Sequence, residues 1–198
     1  NVQYNYGTGT DGSVRTFDSD GFSIGNKTQV NNNGSNIVAW NWKAGGSASS
    51  NSSGSITSSV SANTTSGFSI VTYTGTGSNA TVGHGLGAVP TMIIVKETTG
   101  SANDWTVYHV TQGSTTRGIL NETNAWGSNT AWNNTTPTSS VFSIGSGSVT
   151  NRNNSTYTAY CFADIQGFSK MGSYVGNGST NGTFVYTGFK PAFVLYKK

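Results

Sequence analysis

The side chains in this chain that could do covalent chemistry are few, and their spacing does not favour it. Nucleophilic catalysis needs a Ser or Cys beside a base and an orienting group, and only His84 and His109 offer an imidazole. His84 stands in Val82-Gly83-His84-Gly85-Leu86-Gly87, a turn-like stretch where a histidine serves a loop hydrogen bond. His109 closes a strand-like run that holds Trp105 and Tyr108. The glycines at 83, 85 and 87 do not make a phosphate loop, because the Lys-Ser/Thr ending and the following helix are missing. Glycoside cleavage needs two carboxylates at a set separation. Glu97 and Asp104 flank one expected hairpin turn and are the best-placed pair, but turns ordinarily carry such residues.

Metal chemistry has equally little to work with. Asp18 and Asp20 lack the spaced acidic loop that Ca²⁺ wants, and the single Cys161 excludes a thiolate cluster or an internal disulfide. Cys161 reads as a small buried hydrophobe. No catalytic residue, metal site or cofactor is expected. The Asn-x-Ser/Thr triplets, such as Asn63-Thr64-Thr65, are what an Asn-, Ser- and Thr-rich chain produces by chance.

Binding chemistry is better supplied. The tryptophans at 40, 42, 105, 126 and 132 lie among Asn and Thr, which is what a sugar site uses: apolar ring faces against C–H surfaces, and amides against hydroxyls. Trp126, Trp132, Asn133 and Asn134, in the Asn-rich stretch 121–134, are the candidate ligand-binding residues. The alternative for every tryptophan is the core, and Trp40 and Trp42 are read as core.

The elements that must position these rings follow from composition. Charged residues are only 9% of the chain against an average of about 25%, while aromatics reach 12%. Disordered chains show the opposite pattern. With 27 Gly and abundant Thr, Val and aromatic residues, strands joined by tight turns are favoured. The net charge of +3 comes from scattered residues, so nucleic acid is not an expected partner. No apolar run is long enough for a membrane-spanning helix, and insertion into a membrane is not expected.

The chain also repeats internally. Phe22-Ser23-Ile24-Gly25 recurs as Phe142-Ser143-Ile144-Gly145, a shift of 120, which places Ala39-Trp40-Asn41-Trp42 on Ala159-Tyr160-Cys161-Phe162. Phe68-Ser69 recurs as Phe168-Ser169, after which Tyr73, Gly75, Gly77 and Pro90 fall on Tyr174, Gly176, Gly178 and Pro191, a shift of 101. The expected organisation is the back half of one unit over 1–46, a Ser/Gly/Thr-rich linker or weak edge strand over 47–67, a complete unit over 68–167, and the front of a further unit over 168–198. Strand signals fall at 68–73, 91–96, 105–110, 118–121, 141–144 and 156–162. The fold class is all-β: tandem antiparallel β-sandwich, jelly-roll-like repeats of about 100 residues. In 156–162 both strand faces are apolar, which predicts a central strand. The aligned aromatics predict that at least one of Trp40/Tyr160 and one of Trp42/Phe162 is buried, and a tandem array predicts that the first and last strands of 68–167 lie near its two ends. The two half-units must each find a partner, either by exchange with another copy or from sequence on each side within a longer chain; the second is preferred. Repetition multiplies surface and valency, which suits a scaffold or adhesive array better than an enzyme.

Val82-Gly83-His84-Gly85-Leu86-Gly87-Ala88-Val89-Pro90 leading into Met92-Ile93-Ile94-Val95-Lys96, then Asp104-Trp105-Thr106-Val107-Tyr108-His109, Trp132-Asn133-Asn134-Thr135 and Gly172-Ser173-Tyr174-Val175-Gly176-Asn177-Gly178 resemble a repeat module of predicted tail-fibre and other virion structural proteins of marine bacteriophages, cyanophages included. The resemblance implies a virion surface or appendage protein that attaches to host cells, with other virion proteins and copies of itself as partners and a host-surface glycan as ligand. It implies no catalytic residue. A spacer or capsid-decorating fibre is the structural alternative, and a tailspike depolymerase the enzymatic one.

Overall fold

A computed structural model describes residues 14–100 and 103–198, which fall into two compact units divided after Asn41. In the first unit, β1 (Val14–Phe17) and β2 (Phe22–Ile24) form an antiparallel hairpin, followed by a single helical turn, α1 (Thr28–Asn31).

The second unit carries β3 (Ser49–Asn51), β4 (Ser58–Asn63), β5 (Phe68–Thr74), β6 (Ala80–Gly83), β7 (Met92–Glu97), β8 (Thr106–His109), β9 (Thr116–Ile119), β10 (Gly127–Ser128), β11 (Val141–Ile144), the helical turn α2 (Ser148–Asn151) and β12 (Thr156–Phe162). Eight of these strands form one antiparallel sheet in the order β10-β9-β8-β7-β12-β5-β4-β3, and β6 with β11 forms a second, smaller one. The protein is thus antiparallel and nearly all β, and the second unit is sandwich-like.

Side-chain alternation sorts the large sheet into two faces. Its inner face presents Val71, Tyr73, Ile93, Val95, Tyr108, Tyr157, Ala159 and Cys161, which pack against Val82, Leu86, Trp132, Phe142 and Ile144 of the second layer. β12 lies between β5 and β7 and shows the alternation most plainly: Tyr157, Ala159 and Cys161 are buried, while Thr158, Tyr160 and Phe162 are half-buried on the outer face. Its central position agrees with its two apolar faces. Burial pushes the Cys161 thiol up to about 12, against a smaller opposing effect of Ser69, so it stays a protonated apolar group.

Three sequence expectations are resolved here. The stretch 47–67, read as a linker or a weak edge strand, forms strands: it supplies β3 at the edge of the large sheet and β4 beside it, and β4 pairs with β5 through Val60↔Val71 while burying Val60 in the core. Ile56 is also buried and bridges to Val82, so apolar residues set among serines were the strand signal, and a unit cut at Phe68 would lose part of its core. Second, the first and last strands of 68–167 do not lie near opposite ends. β5 and β12 are neighbours, paired from Thr156↔Thr74 to Phe162↔Phe68, so the chain enters and leaves this region at the same end. Third, none of the aligned aromatics is in the core. Trp40 and Trp42 are exposed and lie in no strand, and Tyr160 and Phe162 are only half-buried because they face outward from β12.

The two helical turns lie 120 residues apart and are alike in detail. Around α1 the amides of Val30 and Asn31 donate to Lys27 O, the amide of Ser35 to Asn32 O, and Asn31 Nδ2 to Gly25 O at 2.9 Å. Around α2 the amides of Thr150 and Asn151 donate to Gly147 O, that of Ser155 to Arg152 O, and Asn151 Nδ2 to Gly145 O at 2.8 Å. The left-handed position that follows is Gly34 in the first and Asn154 in the second, two residue types that tolerate positive φ.

Candidate functional site

The outer face of the large sheet gathers the available binding chemistry. The register places Ser61, Ile70, Tyr160, Ile94, Val107 and Gly118 in one row across six strands. On this row the Trp105 ring stacks on Tyr160, with centroids 6.2 Å apart and planes 23° from parallel. Trp105 is fixed from both sides: its N–H donates to Asn121 Oδ1 at 2.9 Å and its carbonyl accepts from Leu120 N–H. At the far end of the row the Trp126 ring lies over Gly118, so close that a Cβ there would meet the indole at 2.9 Å and the ring would have to shift. Trp126 also meets His109 edge-on at 6.2 Å. Trp105, Trp126, Tyr160 and His109 are all partly accessible.

Polar and charged groups frame these rings, the charged ones engaged with neighbouring amides and carbonyls. Asp104 accepts from Asn121 Nδ2 at 2.9 Å, and Lys96, buried, donates to Asn103 O at 2.6 Å. Toward the β3 side the same sheet ends in hydroxyls, where Ser50, Thr57, Ser59, Thr72, Thr74 and Thr156 line a shallow hollow of about 340 Å³. Rings and hydroxyls on one pleated surface can stack against C–H faces and hydrogen-bond neutral polar ligands.

The residues singled out from sequence divide between the two faces. Trp126 is on the outer face. Trp132 is a correction: it is fully buried on the inner side, edge-on to Tyr108 at 5.7 Å, and its ring has no free face. Asn133 and Asn134 form the tight turn beyond it with positive φ of 49° and 50°, where short amide side chains are tolerated. They serve that turn, and the sheet separates them from Trp126. Trp105 and Tyr160 belong with Trp126 instead, and the alternation Trp105-x-Val107-x-His109 was the signal for that face.

The groups weighed for catalysis are engaged structurally. Glu97 is buried, ion-paired with Arg152 at 3.1 Å and hydrogen-bonded to Asn103, while Asp104 holds Asn121. In the β1–β2 turn the Asp18 amide donates to Gly21 O, and the Asp18 carboxylate accepts from Thr16 Oγ1 at 3.3 Å. Among the described residues no group of three His, Cys, Asp or Glu side chains could hold a metal, and no helix is long and apolar enough to cross a membrane.

His84 is buried, with Leu86 N–H donating to its Nδ1 at 3.3 Å and its Nε2 3.1 Å from Thr138 O. This pattern suits one neutral tautomer, Nε2–H donating and Nδ1 accepting. Burial holds the imidazole below its ordinary range, opposed by the Thr138 carbonyl; burial does the same to His109, opposed by Asp164. The unfolded chain takes up protons near pH 6.5, where the folded one does not, so stability must fall as pH drops below that value. The urea midpoint is therefore expected to be lower at pH 5 than at pH 7, and His84→Gln to reduce the difference. Equal midpoints at both pH values for the unaltered protein would contradict the assignment.

The fold is antiparallel, nearly all β and sandwich-like, with partly accessible aromatic rings on the outer face of its large sheet. The chain belongs to the DUF7483 family, a domain of unknown function, whose family model matches residues 2–198. Comparison with curated proteins and with solved structures finds no match.

Proposed function

We propose that this chain is a repeat module of a non-enzymatic bacteriophage fibre or virion surface protein, and that it attaches to a host cell-surface glycan by many weak contacts. The supporting observation is the ring platform, with Trp105 stacked on Tyr160 and Trp126 held over Gly118, both partly accessible on one face among amides and hydroxyls. Sugars bind such faces weakly, and repetition turns weak contacts into avidity. The resemblance to marine phage fibre modules, the internal repeat and the low charge support this reading, in which the protein belongs to a virion surface or appendage with other virion proteins and further copies of itself as partners.

Attachment to host envelope polysaccharide tests this reading. Saturable binding abolished by the competing sugar is expected, and Trp105→Ala should weaken each site about tenfold, the equivalent of about 1.4 kcal/mol of ring contact. Absence of attachment would favour a spacer or capsid-decorating fibre, and release of reducing ends would favour a depolymerase.

A further inference from the structure

The second layer of the sandwich lies on the inner face of the large sheet, yet the outer face is not bare. Phe68, Ile94 and Val107 are on that outer face by strand alternation and are only 4%, 8% and 4% exposed. Trp42 sits over Phe68 and Phe162, with centroids 6.5 Å and 6.2 Å away, and meets Phe193 edge-on at 5.7 Å. Four residues after Phe193, Lys197 Nζ donates to Glu122 O at 2.8 Å and to Asn124 O at 2.9 Å, in the loop that leads to Trp126.

These two anchor points stand at opposite corners of the face. Phe162 is on β12, in the row that continues through Met92 and His109. Glu122 follows β9, past Leu120, whose N–H bonds Trp105 O at the other end of the strands. Three strand spacings of about 4.8 Å separate β12 from β9, so residues 193–197 have to pass over β7 and β8 to join the anchors. Exposure along them alternates: Phe193 and Leu195 are 45% and 53% exposed, Val194 and Tyr196 68% and 78%, and Lys197 is half-buried. A period of two is that of an extended chain with one side turned to a surface. Residues 193–197 lie in no strand, so lifting them breaks no ladder.

We propose that residues 193–197 are a strap across the ring platform, an autoinhibitory contact that closes over Val107 between Trp105 and Trp126. Phe193 against Trp42 holds one end, Lys197 on its two carbonyls latches the other, and Leu195 is turned toward Val107. The strap must lift before one ligand can reach both rings. That this ligand is a glycan rests on the function proposed above; the strap itself does not.

Thiol labelling of the full chain tests the strap. Val107→Cys places a thiol beneath it, and the native Cys161, wholly buried on the inner face, reports the opening of the whole sandwich. The introduced thiol should react well ahead of Cys161. Adding Lys197→Ala should speed that reaction about tenfold, as loss of charge-assisted hydrogen bonds from one ammonium would, and leave the rate at Cys161 unchanged. A thiol that reacts no sooner than Cys161, or at a rate Lys197→Ala does not alter, would overturn the strap. In the chain that keeps Val107, Lys197→Ala should also bind host-envelope oligosaccharide more tightly, because more of the molecules are open. Weaker binding would make the segment part of the binding site and overturn its inhibitory role. Absence of binding by both proteins would count against the glycan reading, while the thiol rates decide on the strap by themselves.

Discussion

Replacing Asn151 by Ala is expected to destabilise the protein by about 3–5 kcal/mol, out of proportion to the size of the side chain. Asn151 is fully buried, and its amide makes three hydrogen bonds to three separate places. Nδ2 donates to Ser78 O at 2.6 Å and to Gly145 O at 2.8 Å, and Oδ1 accepts from Thr76 N–H at 2.7 Å. Two of these groups lie in the turn after β5 and the third follows β11, so one amide ties a strand end of each sheet to α2. Truncation leaves three backbone groups without partners, at about 1–3 kcal/mol for each that stays dry. Asn31 is its counterpart and bonds Gly25 O, but it is exposed, so Asn31→Ala should cost less than about 1 kcal/mol. Chemical denaturation of the two variants measures the contrast, and equal losses would show that the latch is not what holds α2.

The second large effect is expected at Trp132. Trp132→Ala should cost about 3–5 kcal/mol, because the ring is fully buried against Tyr108 and a cavity would remain. Its Nε1 has no hydrogen-bond partner among the described residues, so Trp132→Phe forfeits no hydrogen bond and should cost clearly less. Phe162→Ala should cost only about 1–2 kcal/mol, since that ring is half-buried on the outer face and gives up its contacts with Phe68 at 4.9 Å and Trp42 at 6.2 Å. Urea titrations of the three variants check the order. A loss at Phe162 as large as that at Trp132 would place the core on the wrong side of the sheet.

Much of the fold was legible in the sequence because strands carry their own period. β5, β7, β11 and β12 fall within a residue of the alternating runs at 68–73, 91–96, 141–144 and 156–162. Alternation does not say which face is inward when both are apolar. In β12 a core read from Tyr160 and Phe162 is one residue out of phase with the core made by Tyr157, Ala159 and Cys161, and a slip of one reverses every side chain. β3 and β4 were obscured by composition, since a strand of Ser, Val and Ala carries little apolar signal and gains its stability from pairing with β5. The candidate site was half legible for a related reason. Local polarity drew Trp132, Asn133 and Asn134 together with Trp126, although nearness in sequence does not put side chains on one face. Trp105 and Tyr160 are far apart in the chain and meet only through the registers Tyr160↔Ile94 and Ile94↔Val107.

The proposed glycan-binding face is tested most directly by titrating the isotopically labelled protein with oligosaccharides from the host envelope and following its indole N–H resonances. The resonances of Trp105 and Trp126 should shift saturably and together, while that of Trp132, on the buried side of the same sheet, stays in place. Saturable binding that leaves Trp105 and Trp126 unmoved, or no shifts at all at millimolar sugar, would contradict the account.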